Sequence, residues 1–196
     1  MKPIRRPSIR TSMLALFLSA LLIVYGWDLW TQHTKQIVLQ LFIANDEQNR
    51  MPEKTVEQDL SKFFSLEQNQ KVVVDDSLYI TFGVQDRYIE ASLSKLYAYM
   101  AAKELDVLIA PRAVAEHYVA ALPFLDIPTL LANRADLLEI VHDSLVKSEG
   151  KEKAYLLDLS TSRYAHSDAD TLVIPASAPH KEAIIQFLSY LYSMQD

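Results

Sequence analysis

Asp75 and Asp76, followed by Ser77, form an adjacent acidic pair at the end of the strand-like run KVVVD. Paired carboxylates hold cations or move protons. Neighbours in a strand point to opposite faces, however, so the pair serves one site only where the strand ends. Turn formation is the simpler role. Farther on, Asp158-Leu-Ser160-Thr-Ser162-Arg163 follows another apolar run. Its hydroxyls and guanidinium suit an anionic group, and they equally suit a solvated loop with a serine helix cap. His166, Asp168 and Asp170 alternate in a polar stretch, but zinc needs three or four convergent ligands. His33, His117, His142 and His180 stand at no recognised ligand spacing.

Other chemistries lack their residues. Cysteine is absent, which excludes disulfides, thiolate metal sites and cysteine nucleophiles. Three glycines, at 26, 83 and 150, make no glycine-rich phosphate loop, and no G-x-S-x-G nucleophile elbow occurs. The chain therefore reads as a protein that is not an enzyme and that takes no metal or cofactor. Tyrosine is plentiful: Tyr97, Tyr99, Tyr118, Tyr190 and Tyr192 fall within predicted helices. Tyr97 and Tyr99 are two apart on one helix and point to different sides, so some of these rings face outward. That favours a protein partner.

The elements that must position these residues begin with an anchor. Met13–Trp27 reads MLALFLSALLIVYGW, uncharged throughout, and Leu29 and Trp30 lengthen it toward the roughly 20 apolar residues of a spanning helix. Lys2, Arg5, Arg6 and Arg10 precede the run, which places the N-terminus in the cytoplasm, and Trp27 and Trp30 mark the outer interface. The expected organisation is a basic cytoplasmic segment at 1–12, a transmembrane signal-anchor at 13–30 that contacts the lipid bilayer, a linker at 31–36 and an extracytoplasmic domain at 37–196. A signal peptide cleaved near Val24-Tyr25-Gly26 is the rival reading and exports the same domain. The location in either case is outside the cytoplasm, and with the anchor retained it is the cell membrane.

Within the domain, strand-like runs alternate with amphipathic ones. Ile37–Ile43, Lys71–Asp75, Asp106–Ala110, Ala154–Leu159 and Thr171–Pro175 read as strands. Helices are expected after Pro52, from an Asp86 cap to about Lys103, from Pro111 to Ala121, over Ala135–Val146 and from Pro179 to Met194. In the second of these, Ile89, Leu93, Leu96, Tyr97 and Met100 lie on one face. Such alternation indicates an α/β fold with a mostly parallel sheet flanked by helices. The first 30 residues hold four basic groups against Asp28. The rest therefore carries 15 basic and 24 acidic residues, a net of −9. Such a domain repels nucleic acid.

The order of the pieces carries a resemblance. YIEASLSKLYAYMAAKELDVLIAPRAVAEHYVAALPFLDIPTLL, from Tyr88 to Leu131, and the closing LVIPASAPHKEAIIQFLSYLY resemble segments of bacterial extracellular solute-binding proteins of the periplasmic-binding-protein type II kind. They resemble in particular a shortened version carried by single-pass membrane proteins of Gram-positive bacteria. The resemblance implies a periplasmic-binding-protein-like fold in which Asp106 and Asp126 shape a cleft. It also makes Asp158, Ser160, Ser162 and Arg163 the first place to look for polar ligand contacts. Full binding proteins have two lobes, whereas the exported part here supplies about one. Leu122 and Pro123 stand where the family has a glycine. The resemblance and these departures together imply an interaction or accessory module of a membrane complex such as a transporter. The alternative is a genuine small-molecule binding module for an ABC-type transporter.

Overall fold

The run IVLQLFI becomes the middle of β1 (Gln36–Ala44) in a computed structural model that describes residues 18–19, 21–22, 35–148, 150, 152–165 and 167–193. Leu39 to Ala44 are all buried, as in strands covered by helices on both faces. β2 (Gln70–Leu78) and β3 (Val107–Ala110) flank β1 and run parallel to it, with Leu41 opposite both Val74 and Val107. β4 (Leu145–Val146), β5 (Leu156–Asp158) and β6 (Thr171–Val173) complete a six-stranded sheet of order β2-β1-β3-β6-β5-β4.

The expected mostly parallel sheet is a mixed one, because β3–β6, β6–β5 and β5–β4 pair antiparallel. The connections explain it. A parallel pair needs a crossover of a dozen or more residues, usually a helix. α1 (Glu53–Phe63) carries the chain from β1 to β2, and α2 (Arg87–Ala102) carries it from β2 to β3. Among the described residues no helix separates β4 from β5 or β5 from β6, so the chain turns straight back.

Four further helices follow: α3 (Arg112–Ala121), the short α4 (Ile127–Leu130), α5 (Ala135–Val141) and α6 (Lys181–Tyr192). Side chains alternate across β1. Leu39, Leu41 and Ile43 pack with Val56 and Leu60 of α1, Leu137 and Val141 of α5, and Ile184, Phe187 and Leu188 of α6. Phe42 and Ala44 face the other way, onto Leu96 of α2 and Val114, Ala115 and Tyr118 of α3. Helices thus cover both sides of the sheet.

Local signals set several boundaries. Asp86 caps α2 by accepting from Tyr88 N at 2.7 Å and Ile89 N at 3.4 Å, and Lys103 ends it in the left-handed conformation at φ 59°. Two expectations are corrected. The helix expected over Ala135–Val146 stops at Val141, because Leu145 and Val146 pair with Leu157 and Leu156 as β4. Tyr97, expected on one face of α2 with Ile89, Leu93, Leu96 and Met100, is 46% exposed. It stands one residue, about 100° of helix, past the fully buried Leu96.

The anchor at 13–30 lies outside the described residues except for Leu18, Ser19, Leu21 and Leu22, which are helical and exposed. The basic segment 1–12 and positions 31–34 of the linker also lie outside them. Among the described residues no helix is long and apolar enough to cross a membrane.

Candidate functional site

β1, β2, β3 and β5 share one direction, so the sheet has an entry edge where they begin and an exit edge where they end. In open α/β sheets ligands gather outside the exit edge, where the strand order reverses. Here that point lies between β1 and β3. Asn45 follows β1 at φ 61° and closes a pair of hydrogen bonds with Ile80: its Nδ2 donates to the Ile80 carbonyl at 2.8 Å, and its Oδ1 accepts from Ile80 N at 2.7 Å. The amide that stands at the switch point is committed to the fold.

The six residues singled out in the sequence do not converge. Asp106 and Asp126 stand at the entry edge, before β3 and β5. Asp106 is fully buried. Its Oδ2 accepts from Gln40 N at 2.8 Å and lies 2.9 Å from His180 Nδ1, while its Oδ1 accepts from His180 N at 3.0 Å. One carboxylate thereby ties β1 and the start of α6 to β3. Asp126 caps α4 through the amide and hydroxyl of Thr129, and its Oδ1 accepts from Ala154 N at 3.0 Å, fixing the approach to β5.

Asp158 and Ser160 stand at the exit edge, where Asp158 Oδ1 accepts from Ser160 N at 2.7 Å in a tight turn. The Ser162 hydroxyl is buried and donates to the Leu159 carbonyl at 2.7 Å. Arg163 lies over the Tyr190 ring, 4.2 Å from its centre, and its Nη2 donates to Ser193 Oγ at 3.3 Å. A cation at the C-terminal end of a helix meets the negative end of its dipole, so α6 accounts for Arg163. Asp106, Asp126, Asp158 and Ser162 are thus engaged in internal bonds, whereas Arg163 Nε is buried without a hydrogen-bond partner among the described residues.

Asp75 and Asp76 divide between the two faces of β2. Asp75 pairs with Lys95 of α2 and accepts from Ser77 N at 3.1 Å and Ser77 Oγ at 2.6 Å. Burial works against its charge, but Lys95 and the Ser77 donors outweigh burial and hold its pKa below the ordinary value. Asp76 turns to α1 and accepts from Glu53 N at 2.9 Å. Burial, followed by the neighbouring charges of Glu57, Asp76 and Asp75, raises the Glu53 pKa. Elsewhere Asp168 accepts from Gln48 at 3.1 Å and Asp170 accepts from Arg112 N at 3.1 Å, while His166 lies outside the described residues. Among the described residues no three His, Asp or Glu side chains gather as metal ligands.

What does converge is aromatic. Tyr118 of α3 is 1% exposed, and its hydroxyl has no hydrogen-bond partner among the described residues. Burial, with Tyr97 as a second cause, drives its pKa well above the ordinary phenol value. The rings of His117, Tyr97 and Phe82 surround it at 5.8, 6.0 and 6.4 Å between centres, and Phe82 lies 4.0 Å from His117. Phe82 is 42% exposed, and Val84 and Tyr88 stand exposed nearby in sequence. In the sequence Tyr97 and Tyr118 read as helical tyrosines, while Leu78–Phe82 reads as an extension of the KVVVD strand or a short partner to it. Nothing local signals that the loop after β2 folds onto α3.

A second feature is a surface hollow of about 550 Å³ among α4, α5, α6 and the start of β5, lined in part by Asp126, Arg134, Lys153 and Lys181. Arg134 is held by Asp136 through bonds of 3.0 and 2.8 Å. Lys153 and Lys181 pair with no carboxylate among the described residues. No family model, curated protein or solved structure matches the chain.

Proposed function

We propose that this chain is a non-enzymatic, membrane-tethered extracytoplasmic module that holds another membrane protein through the aromatic face around Tyr118. The observation that carries this reading is the buried, unpartnered Tyr118 hydroxyl beside half-exposed Phe82 and Tyr97. Interface cores are enriched in such rings, and a buried hydroxyl without a partner costs about 1–3 kcal/mol. An incoming donor or acceptor relieves that cost. The tether is supported by the apolar run at 13–30 and its basic flank. The likeness to solute-binding proteins supports descent from one lobe of a ligand-closing pair. The internal commitment of Asp106, Asp126, Asp158 and Ser162 favours loss of the original ligand.

Photo-crosslinking in intact membranes tests this. A photoreactive residue at Phe82 or Tyr97 of the full chain is expected to give one discrete adduct, whereas the same residue at the exposed Ile140 of α5 gives none. A chain that gives no adduct at any position and sediments as a lone monomer would sink the proposal.

The hollow beside Lys153 and Lys181 favours a second reading, capture of a small anionic solute for a transporter. Thermal shift of the full chain in detergent against phosphate, carboxylates, amino acids and short acidic peptides is its test. An unmoved melting transition across that series counts against it.

A further inference from the structure

We infer that the entry edge of the sheet rests on an anionic lipid surface, with the domain oriented by its own charge polarity. The inference depends on the tether proposed above. The apolar run ends at Trp30 and β1 begins at Gln36. Even fully extended, the intervening residues span no more than about 20 Å. β1 enters the sheet at its entry edge, so this edge, and not the exit edge, is held near the headgroups.

The charges follow the same axis. Lys35 precedes β1, Lys71 lies at the start of β2, Lys103 ends α2, Lys153 precedes β5 and Lys181 opens α6. All five belong to the entry edge. Asp46 follows β1, Asp76 lies near the end of β2, Asp86 opens α2, Asp158 ends β5, and Asp168 and Asp170 precede β6. These six acids belong to the exit edge together with Glu47 and Glu53, and Arg50, Lys54, Arg87, Arg112 and Arg163 share it. Glu67, Glu104, Asp106, Asp126, Glu152 and Glu182 share the entry edge with these lysines and Lys147, so that end is near balance, while eight acids against five basic residues leave the exit edge net negative. In the field of an anionic surface the balanced, lysine-bearing end turns inward and the acidic end turns outward.

Stability alone does not place these lysines. Lys103 suits a helix C-terminus, and Lys71 suits an edge strand that must resist pairing with other chains. Lys181 instead stands in the first turn of α6, where the helix dipole disfavours a cation. Lys153 and Lys181 also line one hollow without a carboxylate partner among the described residues. Lys35 lies at the point where the chain comes up from the membrane side. Surface charges act over about 8 Å at physiological salt, and a link of at most about 20 Å lets the entry edge, unlike the exit edge, come within that reach.

The absence of cysteine makes the test direct. A single cysteine at the exposed Ala176 reports the entry edge and one at the exposed Glu47 reports the exit edge. Each carries a dye, and the full chain is reconstituted in vesicles bearing a headgroup quencher, of phosphatidylcholine with or without phosphatidylglycerol. The dye at Ala176 is expected to be quenched several-fold more than that at Glu47. That gap should widen with phosphatidylglycerol and narrow as salt rises. The K103E/K153E/K181E variant should lose the phosphatidylglycerol-dependent part. If that variant does not fold, the salt series on the unsubstituted chain reads the same quantity. Equal quenching at both edges, or a gap indifferent to lipid charge and salt, overturns the inference and leaves the tether standing. Release of the chain by alkaline carbonate overturns the tether and this inference with it.

Discussion

Asp106 joins two strands and a helix through one carboxylate, with two backbone amides and the His180 ring as partners. Truncation leaves the buried Gln40 amide and the partly buried His180 donors unpaired. Asp106→Ala is therefore expected to lower unfolding free energy by about 3 kcal/mol in a urea titration, while Asp106→Asn retains part of it. Asp75 acts more weakly, since Lys95 is 39% exposed and solvent screens the pair. Its pKa is lowered in the folded state, so its contribution is present above the ordinary aspartate range and disappears as pH falls through the folded value. Asp75→Asn should cost up to about 1 kcal/mol at neutral pH and nothing once the carboxyl is protonated, as read by melting curves across pH. Tyr118→Phe separates stability from recognition. Removing a buried, unpartnered hydroxyl should leave the domain equally stable or about 1 kcal/mol more stable. The same change should weaken the cross-linked complex. A loss of stability would show that the hydroxyl already has a partner.

At the scale of elements, much of the molecule is legible from periodicity and caps. β1, β2 and β3 follow from apolar runs, and Asp86 announces α2 three residues before Ile89 reaches the core. Two features are legible only through tertiary pairing. Leu145 and Val146 carry a helical pattern yet become β4 because β5 offers them partners, and tertiary context of this kind overrides local propensity. The direction of β5 and β6 depends on what lies between them, which the polar loops KSEGKEK and 160–170 indicate only by lacking a helix. The candidate site divides along the same line. The carboxylates were recognisable as turn and cap formers, with Asp126 on Thr129 and Asp158 on Ser160. The aromatic face was not, because Phe82 meets His117 across 35 residues of sequence. One cap invites a direct test. Lys103 holds the left-handed conformation at φ 59°, which glycine adopts without steric cost. Lys103→Gly is expected to raise the melting temperature, for a gain of up to about 1 kcal/mol.

For the whole molecule, the arrangement separates three tasks along one axis. On the proposed reading the entry edge carries the tether and a row of lysines, while the sheet and its two helical layers supply rigidity and the loop after β2 brings Phe82 to the aromatic face. β1 is where these meet. It is the first strand among the described residues and it lies inside the sheet, hydrogen-bonded to β2 on one side and β3 on the other, parallel to both. A pull applied from the N-terminal side of residue 35 enters along this strand. It loads both ladders in shear, many bonds at once, instead of opening them one by one from an end. Drawn from residue 35 in a force-spectroscopy experiment, the domain should therefore resist much higher force than when drawn from its C-terminal helix α6, which leaves the sheet intact as it peels. If the proposed tether and partner hold, a module built this way is a mechanical strut that keeps its grip while the membrane beneath it moves.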